Sequence, residues 1–347
     1  MHYKLAFIGF GNVAQALAQL LLRKRWELQD DYDITFSVTG ISTSSHGIAV
    51  NPNGISVNAA FDMLHSDRSL DLLTGGPIPT NTVDFLERSE ADMMFENTPV
   101  NHETGQPAID HCRMALDRGM HAITANKGTV VHGYRKLTEL ARVKNKKFLF
   151  ESTVLGGSPL FSVFREAMPA AELASFQGIL NSTTNIMLSR MERGESFDEA
   201  VKYCQSIGVA ETDPSADVDG WDAAIKVAAL VTVLMDTPFT PQQVERRGIR
   251  EITPEMIGQA KDRKERWKLV CRAEKVEDAV KASVKPELVP MSSPLYGMED
   301  STTGVAFRTD VLGDYSITES EREGMVAGPI PTAYGLFADF VNAARGG

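Results

Sequence analysis

The sequence predicts an α/β protein in which a doubly wound parallel sheet is followed by a second, α+β domain. Between residues 1 and 150, short apolar segments alternate with segments of helical periodicity, the pattern of a parallel sheet covered by helices. After Phe150, helices are followed by long strand-like segments, which indicates an antiparallel or mixed sheet. We therefore expect domains at 1–150 and 151–328. A proline-started amphipathic helix in 329–347 is expected to return and complete the first domain.

The first strand and helix are joined by a nucleotide-binding pattern. The apolar segment YKLAFIG precedes NVAQALAQLLLRK, which has helical periodicity, and the junction reads G-x-G-x-x-A from Gly9 through Gly11 to Ala14. Glycines at these positions let the backbone approach a pyrophosphate at the positive end of a helix. The pattern also occurs by chance, but its position between a strand and a helix predicts a Rossmann-type, dinucleotide-binding domain.

The end of the second predicted strand, ITFSVTGIS, concerns the choice between NAD and NADP. An NAD-selective site usually has an acidic residue there, which binds the ribose 2′-hydroxyl. This sequence has hydroxyl side chains and one histidine instead: Thr39, Ser42, Thr43, Ser44, Ser45 and His46. No carboxylate would repel a 2′-phosphate, which favours NADP. No arginine follows, so NAD remains open, and a solvated Ser/Thr loop is the structural alternative.

The rest of the first domain continues the alternation. The turn-rich segment 47–81 is expected to form excursions over the sheet edge around one helix near 59–65. The further elements are predicted as strands in 91–100, 120–127 and 147–150 and helices over 108–118 and 130–143. Thr98 and Lys127 follow two of these strands, at the carboxyl edge where ligands bind in such sheets. A surface lysine at a strand end is the alternative for Lys127.

The second domain contains an acidic segment leading into an apolar helix. Its other predicted elements are helices at 160–168 and 199–207, a helix starting in NSTTN with Ser or Thr caps, and strands at 174–180, within 267–286, at 303–309 and at 314–318. Five carboxylates lie between Glu211 and Asp222, and Pro214 and Gly220 interrupt them. This composition predicts an ordered loop that feeds a helix from about Trp221.

Asp222 and Lys226 share one face of that helix, four residues apart. Such a pair is commonly a solvated surface ion pair that contributes ~0.3–0.5 kcal/mol. The flanking sequence AAIKVAALVTVLM is apolar on most sides, however, which favours a buried helix whose pair lines a cleft. Carboxylates around a lysine suit a small ligand that bears an ammonium group, with the lysine acting on a developing negative charge.

Composition restricts the class of partner. The formal net charge of −11 argues against nucleic acid or an anionic membrane surface. The sequence has 3 widely spaced cysteines, which fits reduced thiols better than a disulfide framework. No signal peptide or long apolar run is evident, so a small-molecule partner and a cytoplasmic location are expected.

Seven motifs together resemble the homoserine dehydrogenase family: GFGNVAQA, ENTPVN, ANK, ESTVLGGSP, GILNSTTNIML, GVAETDPSADVDGWDAAIK and AGPIPTA. They run in order over essentially the whole chain. The resemblance implies an NAD(P)-dependent oxidoreductase acting on CH–OH, which interconverts L-aspartate 4-semialdehyde and L-homoserine in threonine, methionine and isoleucine biosynthesis. It also implies a homodimer formed through the sheet of the second domain, and we expect the short form of the family, without a C-terminal regulatory domain.

The resemblance assigns roles to particular residues. Lys226 would be the acid/base residue, with Lys127 supporting the same developing charge. The substrate-binding residues would be Glu211, Asp217, Asp222, which also positions Lys226, and Thr183. The cofactor would contact Gly9, Gly11, Asn12, Val13, Thr98, Lys127, Gly208 and Gly328. A sodium ion would be held mainly by main-chain oxygens of Glu151, Val154, Gly156 and Ser158.

Three positions depart from the family pattern. Val209 replaces the usual tyrosine of the acidic segment, Ser182 replaces a glycine in NSTTN, and Val326 replaces a glycine before the last helix. These changes leave both lysines and the carboxylates intact and bear on substrate identity and affinity. Two other functions stay open: a dehydrogenase of the same fold for another small amino or hydroxy aldehyde, and a non-catalytic NAD(P)-binding regulator.

Overall fold

The computed structural model describes residues 1–320 and 328–346, so that Val326 lies outside the described residues. The strands are β1 (His2–Ile8), β2 (Thr35–Ser42), β3 (Ile48–Val50), β4 (Met93–Glu96), β5 (His121–Thr124), β6 (Phe148–Leu149), β7 (Leu173–Ile179), β8 (Glu245–Arg246), β9 (Glu265–Val276), β10 (Ala279–Pro290), β11 (Thr303–Thr309) and β12 (Gly313–Glu319). The helices are α1 (Asn12–Arg23), α2 (Arg25–Tyr32), α3 (Val57–His65), α4 (Thr82–Ser89), α5 (Ala108–Asp117), α6 (Lys127–Val143), α7 (Leu160–Ser162), α8 (Ser182–Glu192), α9 (Phe197–Ser206), α10 (Ser215–Val218), α11 (Trp221–Leu234), α12 (Pro254–Asp262) and α13 (Ile330–Arg345).

The chain forms two compact units, Met1–Gly157 with Pro329–Gly347, and Ser158–Gly328. The first unit extends beyond residue 150 because the turn after β6 bonds to α13. The Glu151 N–H donates to Asp339 Oδ2 at 2.8 Å, and the Ser152 hydroxyl donates to the Thr332 carbonyl at 2.6 Å.

The first unit contains a six-stranded sheet in the order β3-β2-β1-β4-β5-β6. All its neighbouring strands are parallel except β3, which pairs antiparallel with β2. This order and the covering helices confirm the doubly wound α/β class. The segment 47–81 differs from its prediction: it supplies the edge strand β3 as well as α3, because Ile48 to Val50 pair with the end of β2.

The C-terminal helix α13 belongs to the first unit's core. Leu336 and Phe340 of α13 are fully buried in one cluster with Leu5 and Phe7 of β1. The Tyr3 hydroxyl donates to the Ala344 carbonyl at 3.0 Å, so the first strand and the last helix are also joined by a hydrogen bond. Burial of four large apolar side chains stabilises this junction by several kcal/mol.

The second unit contains a six-stranded mixed sheet in the order β12-β11-β7-β9-β10-β8. Its pairs are antiparallel except for β8, which runs parallel to β10. The predicted strands are present, and β9 and β10 form a long hairpin. The helix expected over 160–168 is short: α7 ends at Ser162, and a wider, π-type turn continues to Ala167. Across the described ranges, no helix has both the length and the apolar character needed to cross a membrane.

Candidate active site

The glycine turn of the first unit has the shape required for a dinucleotide. Gly9 has φ +84°, and a Cβ at this position would lie 2.6 Å from the Asn97 carbonyl oxygen, so a side chain cannot be accommodated. Gly11 is the N-cap of α1, where no side chain caps the helix, and an added Cβ there would meet no atom within 4 Å. The first turn of α1, with Asn12 and Val13, therefore presents its N–H groups to open space. These residues fit a pyrophosphate.

The carboxyl ends of β4 and β5 are joined by a buried polar network. The Glu96 carboxylate is fully buried and accepts hydrogen bonds from the hydroxyls of Thr98 and Thr124. The His111 ring lies 3.3 Å from the same carboxylate. The Asn126 side chain donates to the Thr98 carbonyl at 3.1 Å, which fixes the loop that follows β4.

Lys127 is half-buried and is the first residue of α6, directly after the N-cap Asn126. The helix therefore begins three residues earlier than predicted, because the Asn126 side-chain oxygen accepts from the Gly128 N–H at 3.0 Å. Lys127 lies at the start of a helix rather than at the end of a strand.

The end of β2 carries the predicted hydroxyl side chains, with one correction. Thr39 lies within β2, is fully buried and bonds to the Leu5 carbonyl, so it cannot reach a ligand at the strand end. The loop after Ser42 is closed by Thr43, whose hydroxyl donates to the Gly47 carbonyl at 2.9 Å. The His46 ring lies 3.5 Å from the exposed Asp67 carboxylate.

The second unit holds the acidic segment and its apolar helix. The expected loop contains one helical turn, α10, because Pro214 sits at its N-cap, a position compatible with the start of a helix. Helix α11 begins at Trp221, as predicted, and its residues from Ala223 to Ile225 and from Val227 to Thr232 are buried.

The Asp222–Lys226 pair is largely removed from solvent. Lys226 Nζ lies 2.9 Å from Asp222 Oδ2 and donates to the Leu180 carbonyl at 2.7 Å. The side chains of Lys226 and Asp222 are 15% and 19% exposed. The predicted buried helix is therefore confirmed, and its Asp222–Lys226 pair is half-buried rather than a fully solvated surface pair.

The NSTTN segment lies against the same carboxylates. Asn181, not a Ser or Thr, caps α8, and its amide donates to Asp217 Oδ1 at 2.6 Å and to Asp222 Oδ2 at 3.0 Å. The Thr183 hydroxyl donates to the Val209 carbonyl at 3.0 Å, a contact with the main chain that does not depend on the side chain at 209. Sequence reasoning did not single out Asn181, although a polar residue before the helix was visible.

Three predicted residues lie on the surface of the second unit. The Glu211 side chain is exposed. Gly208 follows α9 with φ +75°, and an added Cβ would meet nothing within 4 Å. Gly328 is exposed and adjoins residues outside the described ranges.

The predicted sodium ligands lie in a largely buried stretch of chain. Glu151 and Val154 are buried, and Gly156 has φ +41°. The Ser158 carbonyl accepts from the Leu160 N–H at 2.8 Å, and its hydroxyl donates to Glu319 Oε2 at 2.6 Å. No group of three or more His, Cys, Asp or Glu side chains in the described part of the chain could hold a metal ion, so a cation here would depend on main-chain oxygens.

The three cysteines are free and buried. Burial raises the pKa of the Cys271 thiol to about 12 and that of Cys204 to about 11. Burial also raises the pKa of Cys112, with Glu96 adding to the effect. All three are therefore neutral thiols at physiological pH and do not act as nucleophiles.

A dinucleotide-binding sheet in one unit and a half-buried lysine–aspartate pair in the other are features of an NAD(P)-dependent oxidoreductase. Two family models then specify the type of oxidoreductase. The NAD-binding domain of homoserine dehydrogenase matches residues 9–151, and homoserine dehydrogenase matches residues 159–341. The chain belongs to the homoserine dehydrogenase family.

Individual relatives agree with this assignment. The chain is 33% identical to an NAD(+)-dependent homoserine dehydrogenase of Pseudomonas canavaninivorans, over 98% of this chain and 96% of the relative. It is 32% identical to a homoserine dehydrogenase of Methanocaldococcus jannaschii, with 96% of each covered. A hyperthermophilic archaeal homoserine dehydrogenase in complex with NADPH has a TM-score of 0.81 and 27% identity, over 100% of this chain and 99% of that chain.

Proposed function

We propose that this protein interconverts L-aspartate 4-semialdehyde and L-homoserine, with Lys226 as the acid/base residue. The observation that supports this most directly is the Lys226 ammonium, held in a buried helix by Asp222 and the Leu180 carbonyl. An ammonium has three N–H donors; one is bonded to the Leu180 carbonyl, and Asp222 lies within ion-pair distance. In this proposal a further N–H donates to the substrate oxygen.

The chemistry of Lys226 follows from its charge. In the direction of aldehyde reduction, negative charge develops on the substrate oxygen. The Lys226 ammonium stabilises that charge and supplies the proton, and in the reverse direction the lysine accepts the proton from the alcohol. Acid/base and electrostatic effects of this kind are typically worth ~10²–10⁴ in rate. We propose that Lys127 supports the same charge.

We propose that Asp217 and Asp222 bind the substrate's ammonium group, with Thr183 and Glu211 completing the set. Asp217 and Asp222 are brought together by their shared donor, Asn181. Thr183 is buried and fixed by its bond to the Val209 carbonyl. Glu211 is exposed, so its contribution requires contact with a bound ligand.

We propose that a nicotinamide dinucleotide binds at Gly9, Gly11, Asn12, Val13, Thr98, Lys127, Gly208 and Gly328. When bound, the reduced nicotinamide supplies a hydride to the aldehyde carbon. The open N-terminal turn of α1 would bind the pyrophosphate, and the Glu96 network would hold Thr98 in place.

NADP is the preferred cofactor in this proposal, with NAD as the alternative. No carboxylate occurs between Ser42 and His46, which leaves room for a 2′-phosphate. The Pseudomonas relative is NAD(+)-dependent and the archaeal relative binds NADPH, so the family accommodates both cofactors.

Three further properties are proposed on narrower grounds. A sodium ion would be bound by main-chain oxygens of Glu151, Val154, Gly156 and Ser158, in keeping with the burial of Glu151 and Val154. A homodimer would form through the open face of the second unit's sheet, where a groove of about 810 Å³ contains Gln177 and Arg272 among its lining residues. Free, buried cysteines support a reducing, cytoplasmic location.

The direct test is a spectrophotometric assay of the purified protein with homoserine and either NADP or NAD. We expect reduced nicotinamide to accumulate, faster with NADP, and the reverse reaction to consume it with aspartate 4-semialdehyde. Turnover of a homologous amino or hydroxy aldehyde, but not of aspartate 4-semialdehyde, would favour a different dehydrogenase. Cofactor binding without any turnover would favour a non-catalytic regulator. Sedimentation equilibrium of the same sample tests the dimer, which a monomeric mass would contradict.

A further inference from the structure

Asn181 occupies a position where one side chain serves two structural tasks. Its Oδ1 accepts hydrogen bonds from the N–H and the hydroxyl of Thr184, at 2.8 and 2.9 Å, and so caps α8. Because the oxygen faces these donors, the amide nitrogen must face the opposite way. There it donates to Asp217 Oδ1 and Asp222 Oδ2. Asn181 is only 4% exposed, so water cannot readily replace these bonds.

The two N–H groups of this amide separate two carboxylates. Asp217 comes from the short helix α10 and Asp222 from the first turn of α11. Two carboxylates in one site repel each other, and a neutral amide that donates one hydrogen bond to each compensates for the repulsion without adding charge. A residue with an acceptor only, or with a single hydroxyl, cannot serve both.

The same short segment also fixes the lysine. Leu180, immediately before Asn181, accepts from Lys226 Nζ at 2.7 Å, and Asp222 Oδ2 receives both the Asn181 amide and the Lys226 ammonium. The junction between β7 and α8 thus contacts both members of the Asp222–Lys226 pair. Movement of the Asn181 amide would change the direction of Asp222 and, through it, that of Lys226.

We propose that Asn181 is a positioning residue for the reaction: it holds Asp217 and Asp222 at a fixed separation and, through Asp222, directs Lys226 toward the substrate oxygen. This inference rests on the proposed function. Asn181 itself need not touch the substrate.

The test uses two variants of the full chain that retain the helix cap. Asn, Asp and Ser are about equally good N-caps, so Asn181→Ser and Asn181→Asp both preserve the start of α8. Asn181→Ser removes the amide that bridges the carboxylates. Asn181→Asp keeps the size of the side chain but places a third carboxylate against two others. Asn81→Ser, at the cap of α4, is the matched control, because Asn81 accepts from the Asp84 N–H at 3.0 Å and has no proposed role in the reaction.

We expect Asn181→Ser to lower kcat/KM for homoserine by about 10- to 100-fold, because the two lost hydrogen bonds act on the reaction only through the positions of Asp217 and Asp222. Both kcat and KM for homoserine should change, whereas KM for the nicotinamide cofactor should not. Asn181→Asp should lose more activity than Asn181→Ser. Asn81→Ser should match wild type, and thermal unfolding should show that both Asn181 variants remain folded.

A residue that only caps the helix would give different results. In that case both Asn181 variants would keep wild-type kinetics, and this result would overturn the inference. Equal activities of Asn181→Ser and Asn181→Asp would also overturn it. If Asn181→Ser fails to fold, Asn181→Asp is the test: a folded variant with reduced kcat/KM supports the inference, and one with wild-type kinetics rejects it. Wild-type protein is measured in parallel. If it fails to oxidise homoserine, the proposed function and the inference both fall, whereas active wild type with unaffected variants rejects the inference alone.

Discussion

Replacement of Lys226 by methionine removes the ammonium while keeping most of the apolar stem within α11. The side chain is 15% exposed; its ammonium donates one hydrogen bond to the Leu180 carbonyl and forms an ion pair with Asp222. The substrate oxygen therefore loses one charged donor and the proton source together. Loss of a general acid typically costs ~10²–10⁴ in rate and loss of one oxyanion donor ~10²–10³; the two losses are not additive, because one ammonium supplies both functions. We expect kcat to fall by about 10²–10⁴, or about 3–5 kcal/mol of barrier.

The assay follows reduced nicotinamide in both directions, with KM measured for homoserine and for the cofactor. KM for homoserine should change less than kcat, because Asp217 and Asp222 remain, and cofactor affinity should be unchanged. Lys202→Met is the matched control, since Lys202 is an exposed lysine on a helix of the same unit. A Lys226→Met enzyme with kcat within a few-fold of wild type, or a similar loss in the control, would refute the role assigned to Lys226.

Three further predictions concern the scaffold. Gly9→Ala should weaken cofactor binding at least ten-fold and destabilise the fold by about 1–2 kcal/mol, because φ is +84° and its Cβ would meet Asn97; Gly258→Ala, with open space around its Cβ, should be neutral or stabilising in chemical denaturation. Burial, with Lys146 and Lys147 nearby, lowers the pKa of His121 from 6.5 to about 4. As the pH falls from 6.5 toward 4, the unfolded state therefore binds a proton that the folded state does not bind. Wild type should lose about 2 kcal/mol between pH 7 and 5 relative to His121→Asn, and equal slopes would contradict this. Burial lowers the pKa of Lys268 from 10.5 to about 8. Because folding favours the neutral lysine, the free energy of unfolding of wild type should rise by about 2 kcal/mol relative to that of Lys268→Met between pH 8 and 10. Below pH 7 the free energies of the two proteins should change in parallel, and urea titrations at each pH measure both.

Local patterns in the sequence predicted the parts of the site that depend on local chemistry. The glycine turn at Gly9 follows from strand, turn and helix signals within a dozen residues, and the burial of Lys226 follows from its apolar neighbours. The family resemblance supplied the remaining site residues, whose roles stay proposals.

What sequence reasoning missed depends on contacts between distant segments. Asn181 is 36 residues from Asp217 and 41 from Asp222, so no periodicity connects them. Strand β3 is only three residues long, too short for a pattern of alternation, and is defined by its partner β2. Thr39 lies inside β2, as it does in the predicted strand 34–42, and it is unavailable to a ligand because its hydroxyl bonds to the Leu5 carbonyl of the neighbouring strand.

The position of α13 in the order of synthesis bears on how the protein acquires its fold. The dinucleotide-binding unit is interrupted in sequence: β1 is synthesised before Ser158–Gly328, whereas α13, which shares a core cluster with Leu5 and Phe7, is synthesised after it. During synthesis, the dinucleotide-binding unit therefore keeps part of its core uncovered until α13 has been made. The inserted unit is continuous in sequence and is synthesised completely before α13. A nascent chain stalled before Ile330 would expose the apolar surface that α13 covers to chaperones, and release of the helix would end that exposure.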